Sequence, residues 1–240
     1  LAGALTTSAA LPRLVALLRA HRPDVVQGWM YHANLLAGLA APLAGLPRAL
    51  WGIRAASVPT GRERRRTIAT AAVAARLARL LARGILVNGT RARDTHVAQG
   101  YPRERFTVIP NGYDLARWRP DAAARASVRA ELGLAADAPL VGMIANFRPI
   151  KDHASFLAAM RTVRERRPRA HVLLAGVDAT PAHAAFAALA AQAGLGDALH
   201  ALGARDDVPR LTAALDVAAL TSVDESFPNV VAEAMACGVP

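Results

Sequence analysis

Cysteine and lysine are almost absent from this chain of 240 residues: Cys237 is the one cysteine and Lys151 the one lysine. A single cysteine excludes an intramolecular disulfide and any metal site built from several cysteines. It favours a reducing, cytoplasmic setting, in which thiols stay free. The scarcity of lysine draws attention to Lys151, where a compact point charge stands in a chain that otherwise uses arginine.

Long apolar runs and metal-ligand patterns are also missing. No apolar run reaches the roughly 18 residues that a membrane-spanning helix needs, because Arg, Pro or Gly interrupts every candidate. With 53% hydrophobic residues, the composition is nevertheless that of a globular protein. No Asp-x-Asp follows a predicted strand, and no His/Asp cluster has metal-ligand spacing. We therefore expect metal-independent chemistry and no metal site.

Charge is distributed unevenly along the chain. Residues 1–120 carry a net charge of +13, whereas residues 121–240 carry −2. A basic cluster opens a long predicted helix in the first half and comprises Arg62, Arg64, Arg65, Arg66, Arg76, Arg79 and Arg83. Such a run is usually a solvated helix face, but it could also attach to anionic lipid at about 1 kcal/mol per well-placed cation. Nucleic acid is a rival partner by charge alone, and the 5% aromatic content, with none inside the cluster, argues against it.

Predicted strands and helices alternate along the whole chain, which indicates parallel sheets with crossover helices and an α/β fold. Residues 110–114 have the composition of a turn, and residues 117–120 read as a linker. These signals predict a first domain over residues 1–115 and a second over residues 116–240. We also expect both domains to be incomplete, because the chain starts and stops within this alternating pattern.

The most informative segment runs from Asp224 to Gly238, with the sequence DESFPNVVAEAMACG. Two carboxylates, Glu225 and Glu233, stand eight residues apart in it. The Phe-Pro pair between them predicts a loop that closes into a helix over 228–236, since proline is tolerated in the first turn of a helix. The amide groups and positive dipole end of such a helix suit a phosphate group. The plain alternative is that Glu225 is an exposed loop acid and Glu233 a solvated helix acid. The sequence around the two residues makes this the weaker interpretation.

This Glu-x7-Glu segment, with its internal Phe-Pro-Asn and its trailing Glu-Ala-Met-Ala-Cys-Gly, resembles the retaining glycosyltransferases of family four, also called glycosyltransferase group 1. The resemblance implies the GT-B fold, which consists of two Rossmann-like domains. The first would be the acceptor-side domain and the second would bind the nucleotide sugar. It further implies that the chain is truncated at both ends relative to the family.

The resemblance also assigns roles to individual residues of the segment. Glu225 would contact the hydroxyl groups of the donor sugar, and Glu233 would accept hydrogen bonds from the ribose hydroxyls. Ionised carboxylates suit both tasks because each oxygen accepts from neighbouring hydroxyl groups. The backbone amides of Phe227, Asn229 and Val230 would face the donor diphosphate.

Two cations, Arg148 and Lys151, follow the first predicted strand of the second domain. Charge grows on a diphosphate leaving group as the glycosidic bond breaks, so cations placed there would lower the barrier directly. Two solvated loop cations are the plain alternative. In the commonest form of the family an arginine stands where this chain has Asn146, which leaves open which residue takes that role.

His32, Arg54 and Val208 are weaker candidates. By partial resemblance to a histidine-rich segment of the family, His32 would touch the transferred sugar, and capping of the following helix is nearly as good an interpretation. For Arg54 two interpretations are equally good: it contacts an anionic acceptor, or it is an ordinary surface arginine. Val208 lies where the family reads the nucleobase, and Asp207 beside it is expected to cap the next helix.

Taken together, the sequence predicts a retaining enzyme that moves a sugar from a nucleotide-diphosphate donor to a hydroxyl acceptor. The expected acceptor is a lipid-linked or cell-surface glycan. The nucleotide sugar is a substrate, and no other cofactor is expected. We expect a cytoplasmic protein with peripheral contact to the anionic inner face of the membrane and no nucleic acid partner. A GT-B nucleotide-sugar epimerase or phosphorylase, or a non-catalytic basic surface-binding module, are the alternatives.

Overall fold

The computed structural model describes residues 7–57 and 65–240. Arg62 and Arg64 of the predicted basic cluster lie outside the described residues. The chain divides into two units, of which the first comprises Leu1–Asn111 and Asp224–Phe227, and the second Gly112–Val223 and Pro228–Pro240. The segment Asp224–Phe227 therefore packs with the first unit, although the division predicted from sequence, at residues 115 and 116, includes it in the second domain.

The described part of the first unit contains a four-stranded parallel sheet in the order β1-β2-β3-β4. Strands and helices alternate, as the sequence pattern predicts. In chain order the elements are α1 (Thr7–His21), β1 (Gln27–Trp29), α2 (Met30–Leu43), β2 (Ala49–Ile53), α3 (Arg65–Leu81), β3 (Ala82–Val87), α4 (Thr90–Ala98) and β4 (Phe106–Val108).

Small residues let α2 approach the sheet closely. A Cβ atom on Gly28 would lie 2.7 Å from the Cα of Asn34, and one on Gly38 would lie 3.0 Å from the buried Trp51 ring. The buried Asn34 amide donates to the carbonyl of Gly52 at 3.0 Å and accepts from its N–H at 3.2 Å. Both backbone groups of the buried Gly52 are thereby satisfied, and the start of α2 is fixed against the sheet.

The described residues of the second unit also form a four-stranded parallel sheet, in the order β7-β6-β5-β8. Its elements are α5 (Ala122–Glu131), β5 (Leu140–Ile144), α6 (His153–Arg166), β6 (His171–Ala175), α7 (Ala184–Ala193), β7 (Leu199–Ala201), α8 (Val208–Ala213), β8 (Val217–Ala218) and α9 (Asn229–Ala236).

Both faces of this second sheet are covered. Leu140 and Leu173 belong to one buried cluster, whereas Met143, Val172 and Leu174 belong to another on the alternate positions of the same strands. Parallel strands buried on both faces are typical of α/β proteins with crossover helices. The predicted α/β class with parallel sheets is confirmed.

An ionic cluster fastens α5 to the sheet of the second unit. Asp216 accepts from Arg125 at 2.6 Å, from Arg129 at 2.7 Å and from the Leu140 amide at 2.8 Å. Arg129 is only 3% exposed and also donates to the carbonyl of Ala138. A buried guanidinium of this kind is tolerated only because its charge is paired. Its removal should leave Asp216 and the Ala138 carbonyl without one of their hydrogen-bond donors.

Replacing Arg129 by alanine is expected to lower the free energy of unfolding by about 3 kcal/mol, the low end of the range for breaking a buried ion pair, because Asp216 keeps some access to water. Urea unfolding at neutral pH measures this. Arg169→Ala is the matched control, since Arg169 forms a pair with Asp137 in which both side chains are mostly exposed, and it should leave the midpoint unchanged. Equal effects of the two substitutions would contradict the prediction.

The same cluster gives the stability a defined pH dependence. Burial opposes ionisation of Asp216, but the Leu140 amide and the two guanidinium groups outweigh it and lower the pKa of this carboxyl. A lowered pKa in the folded state gives stability that is complete above the unfolded pKa and is lost as the pH falls through the folded pKa. In Arg129→Ala, this acid-dependent loss should shrink.

Candidate functional site

The site begins where two neighbouring strands of the second unit end. The strands β5 and β8 are parallel and adjacent, so the loops that follow them emerge at the same edge of the sheet. The hydroxyl of Thr221, after β8, lies 3.0 Å from the carbonyl of Lys151 and 2.9 Å from that of Asp152. The Val223 amide donates to the carbonyl of Ile150 at 2.9 Å. These bonds join the β8 loop to the loop that carries Lys151.

The loop after β5 contains both predicted cations. Arg148 is exposed and directly precedes a short 3₁₀ turn, Pro149–Lys151. Asp152 follows with a positive φ of 49° and caps α6 by accepting from the Ser155 amide at 3.1 Å. Asn146, which stands at the position of the family's arginine, accepts from the Val177 amide at 2.9 Å. Asn146 thus holds the loop in place, while the exposed cation in this part of the loop is Arg148.

A glycine lets the loops after β5 and β6 lie against each other. A Cβ atom on Gly176 would stand 2.2 Å from the carbonyl oxygen of Ala145, and its φ is 154°. The Ala145 amide also donates to the carbonyl of Ala175 at 2.9 Å. Any side chain at Gly176 would displace the start of the cationic loop.

A buried histidine supports the cationic loop from behind. His153 is 2% exposed, and its ring lies 5.2 Å from that of Phe147 and 6.5 Å from that of Phe186. Burial lowers the pKa of His153, and the nearby Ala145 backbone only partly offsets this effect. Neither ring nitrogen has a hydrogen bond of normal geometry within the described residues. The imidazole is therefore neutral at physiological pH and packs as an aromatic group directly after Lys151 and Asp152.

The helix α9 carries three of the predicted donor-site residues. It begins at Asn229, and no side chain caps it within the described part of the chain. The Asn229 side chain accepts from the hydroxyl of Tyr113 at 2.9 Å, and Val230 lies in the first turn. Glu233 is half-buried, and burial raises its pKa although Arg117 works in the opposite direction. The helix offers a positive dipole end without a side-chain cap.

Glu225 and Phe227 lie in the segment Asp224–Phe227 of the first unit, and both side chains are half-buried. Hydrogen bonds and an ion pair attach the neighbouring Asp224 and Ser226 to the first unit. The predicted donor-site residues thus belong to two units as the chain is divided: Glu225 and Phe227 to the first, and the cationic loop and α9 to the second.

His32 lies on the first turn of α2 and is exposed. The N-cap position of this helix is Trp29, which makes no side-chain capping bond, so the alternative in which His32 caps the helix is wrong. The guanidinium of Arg54 lies 5.7 Å from the centre of the Trp29 ring and bonds to the side chain of Asn111. Arg54 is thus held by two partners at the end of β2.

Val208 is the first residue of α8 and is partly buried. The prediction that Asp207 caps this helix is wrong, because its carboxylate makes no capping bond. It binds Arg205 through two bonds of 2.8 Å and Arg210 at 2.7 Å, and both arginines also bind Glu131. Charge-assisted bonds to two guanidinium groups are stronger than a bond to a neutral amide, and they hold the start of α8 against α5.

Two kinds of feature are absent from the described residues, 7–57 and 65–240. These residues contain no group of three or more His, Cys, Asp or Glu side chains that could hold a metal ion. They also contain no helix that is both long enough and apolar enough to cross a membrane.

Two family models match the chain in succession. Residues 3–117 match the model of Glycosyltransferase Family 4, and residues 124–240 match that of Glycosyl transferases group 1. The junction between the two matches falls within residues 118–123, close to the division of the structure into units.

Curated relatives match over part of their length. The chain is 35% identical over 164 residues to the D-inositol 3-phosphate glycosyltransferase of Xylanimonas cellulosilytica, covering 65% of this chain and 39% of that protein. It is 31% identical over 168 residues to the enzyme of the same name from Segniliparus rotundus, covering 65% of this chain and 35% of that protein. The chain therefore spans a little over a third of the length of these relatives.

The fold is shared with solved structures. The crystal structure of Anabaena HepE in complex with UDP and glucose superposes with a TM-score of 0.80 at 24% sequence identity, covering 99% of this chain and 63% of that one. The predicted fold, two Rossmann-like domains of GT-B type, is confirmed at the level of the individual units. With both family models matched in order, the chain belongs to the family-four, group 1 glycosyltransferases.

Proposed function

We propose that the protein containing this chain is a retaining glycosyltransferase, which moves a sugar from a nucleoside diphosphate to a hydroxyl acceptor. The observation that carries the proposal is the pair of loops after β5 and β8, joined by Thr221 through the carbonyls of Lys151 and Asp152. This arrangement holds the chain's one lysine at the carboxyl edge of a parallel sheet, where α/β proteins bind their ligands.

The cationic loop and α9 would bind the donor diphosphate. Arg148 and Lys151 supply positive charge that strengthens its hold as negative charge builds up on the leaving group. The first turn of α9, with the amides of Asn229 and Val230, adds the positive end of the helix dipole. We assign to these groups the charge neutralisation that a divalent metal ion provides in other glycosyltransferases, so transfer should be metal-independent.

The carboxylates and His32 would orient the rest of the donor. Glu233 accepts hydrogen bonds from the ribose hydroxyls, Glu225 binds the hydroxyl groups of the donor sugar, and the Phe227 amide faces the diphosphate. His32 contacts the transferred sugar, and the residues around Val208 contact the nucleobase. The raised pKa of Glu233 implies that ribose binding weakens as the pH falls and this carboxylate takes up a proton.

The reaction would proceed on one face of the sugar. The bond between the anomeric carbon and the diphosphate oxygen breaks, and the acceptor oxygen bonds to that carbon from the same side. The acceptor proton passes to the departing diphosphate oxygen, so configuration is retained and no protein nucleophile takes part. The nucleoside diphosphate and the glycosylated acceptor are the products.

The acceptor is proposed to be a lipid-linked or cell-surface glycan. Arg65, Arg66 and Arg76 are exposed on α3, and this basic surface would contact an anionic membrane at the cytoplasmic face. Arg79 of the same helix is partly neutralised by Glu104 at 3.4 Å.

The relatives support the donor class. HepE has been crystallised with UDP-glucose, and two curated relatives bear names that describe glycosyl transfer to D-inositol 3-phosphate. The UDP-glucose bound to HepE belongs to the donor class proposed here, the nucleoside diphosphate sugars.

Calorimetric titration of the complete protein with a panel of nucleotide sugars tests the proposal. We expect at least one nucleoside diphosphate to bind, and the matching monophosphate to bind at least about tenfold more weakly, because it loses charge-assisted bonds to the cationic loop. Mass spectrometry should then find an acceptor heavier by one sugar, with unchanged yield in EDTA.

The same experiment separates the alternatives. An epimerase would change the sugar without a heavier acceptor, and a phosphorylase would release a sugar phosphate. Salt-sensitive vesicle or DNA binding without nucleotide-sugar affinity would identify a basic surface-binding module instead. Any of these outcomes would overturn the proposal.

A further inference from the structure

Specific contacts hold the residues on both sides of Glu225. The carboxylate of Asp224 accepts from the Ser57 hydroxyl at 2.6 Å, and its other oxygen lies 3.0 Å from the Arg91 guanidinium. On the other side of Glu225, the Ser226 hydroxyl donates to the side chain of Asn88, which is only 5% exposed. Side chains before and after Glu225 are therefore attached to residues far away in the sequence.

The backbone of the same segment approaches a glycine. A Cβ atom on Gly89 would lie 2.2 Å from the carbonyl oxygen of Ser226, a distance that real contacts do not reach. Gly89 is the N-cap of α4 and has an ordinary extended conformation, with φ −154° and ψ 152°. Glycine is required here by the closeness of Ser226, since the backbone angles themselves suit any residue.

Apart from the bond from Ser57, these contacts come from one short stretch after β3. Asn88, Gly89 and Arg91 lie within four residues of one another, and we call them the α4 dock. Ordinary surface packing could produce one such contact. The α4 dock instead combines a buried amide, a missing side chain and an ion pair, and all three act on the residues immediately flanking one carboxylate.

We propose that the α4 dock positions Glu225 for the transfer step. This inference rests on the proposed function, in which Glu225 binds the donor sugar. Asn88, Gly89 and Arg91 do not touch the substrate in this scheme; they act by fixing the backbone of Asp224 and Ser226. A displacement of about 1 Å at a reacting group costs on the order of 100-fold in rate, so a dock of this kind would affect turnover strongly.

The first test is Gly89→Ala in the complete protein. The added methyl group must push Ser226 away, and we expect kcat to fall on the order of 100-fold. Affinity for the nucleoside diphosphate without its sugar should fall far less than kcat, because Arg148, Lys151 and α9 are untouched and only the Phe227 amide lies next to the displaced Ser226. Gly112→Ala is the matched control, since a Cβ atom there would meet nothing within 4 Å.

The second test uses the ion pair between the exposed Arg91 and the mostly buried Asp224, and it does not depend on how well Gly89→Ala folds. Arg91→Ala and Asp224→Asn should each lower kcat, and the double variant should be no slower than the slower single variant, because both changes remove the same contact. Arg91→Lys should restore most of the loss. Purely structural damage would instead lower both the diphosphate affinity and the thermal midpoint along with kcat.

The outcomes distinguish this inference from the proposed function. If the wild-type protein neither binds nor consumes a nucleotide sugar, the proposed function is wrong, and the inference falls with it. If the wild-type protein is active and Gly89→Ala matches Gly112→Ala in kcat, the proposed function stands and the inference is overturned. Additive effects of Arg91→Ala and Asp224→Asn would also overturn it.

Discussion

Lys151→Ala is expected to reduce the turnover of the complete protein about 100- to 1,000-fold, the usual loss when one group that stabilises developing charge is removed. The nucleoside diphosphate carries more negative charge when it leaves than when it is bound to sugar. Removal of the cation should therefore affect kcat more than KM. Steady-state kinetics with a saturating acceptor measure both constants.

Arg161→Ala is the matched control for this experiment. Arg161 is an exposed cation on α6 of the same unit, and its loss changes the net charge by the same amount. It should leave turnover within about twofold of wild type, since an exposed charge outside the site is screened by solvent. A Lys151→Ala variant as active as Arg161→Ala would refute the role of Lys151.

Glu225→Gln is expected to lower turnover by a similar factor, about 100- to 1,000-fold. Glutamine keeps the shape of glutamate but loses the negative charge, and a neutral amide oxygen accepts a sugar hydroxyl much less strongly than a carboxylate does. The isolated nucleoside diphosphate should still bind normally, because Glu225 is proposed to contact the sugar. Kinetics and calorimetry on the same preparation check the two statements.

Glu104→Gln provides the comparison for Glu225→Gln. Glu104 also belongs to the first unit, and more than half of its side chain is exposed beside Arg79. Its neutralisation should leave turnover unchanged. Near-normal turnover of Glu225→Gln, with the fold intact by circular dichroism, would remove Glu225 from the donor site.

The order and type of the elements could be predicted from the sequence because apolar strands alternate regularly with alanine-rich helices. The helix predicted over 228–236, for example, is α9, Asn229–Ala236. The start of α2 has no comparable signal in the sequence. Met30 adopts a positive φ of 66° and turns β1 directly into the helix. Nothing in a methionine signals that conformation.

The site could be predicted only as far as local patterns reach. The string around Glu225 and Glu233 is contiguous, and Arg148 and Lys151 stand in one loop. Thr221 and His153 could not be predicted as site residues, because their importance depends on residues that are brought close by the fold. The Lys-Asp-His order at the start of α6 was the available signal for His153, and it gives no hint that the ring would be buried.

The path of the chain through the two units has a consequence for how such proteins can be recombined. The sequence leaves the second unit after Val223, packs with the first for four residues, and returns at Pro228. Swapping residues 1–111 for those of a homologue would give Asp224–Phe227 a foreign surface in place of Ser57 and the α4 dock. Residues 1–111 cannot therefore be exchanged as an independent module. Asp224–Phe227 should be exchanged together with them, because it packs with that unit.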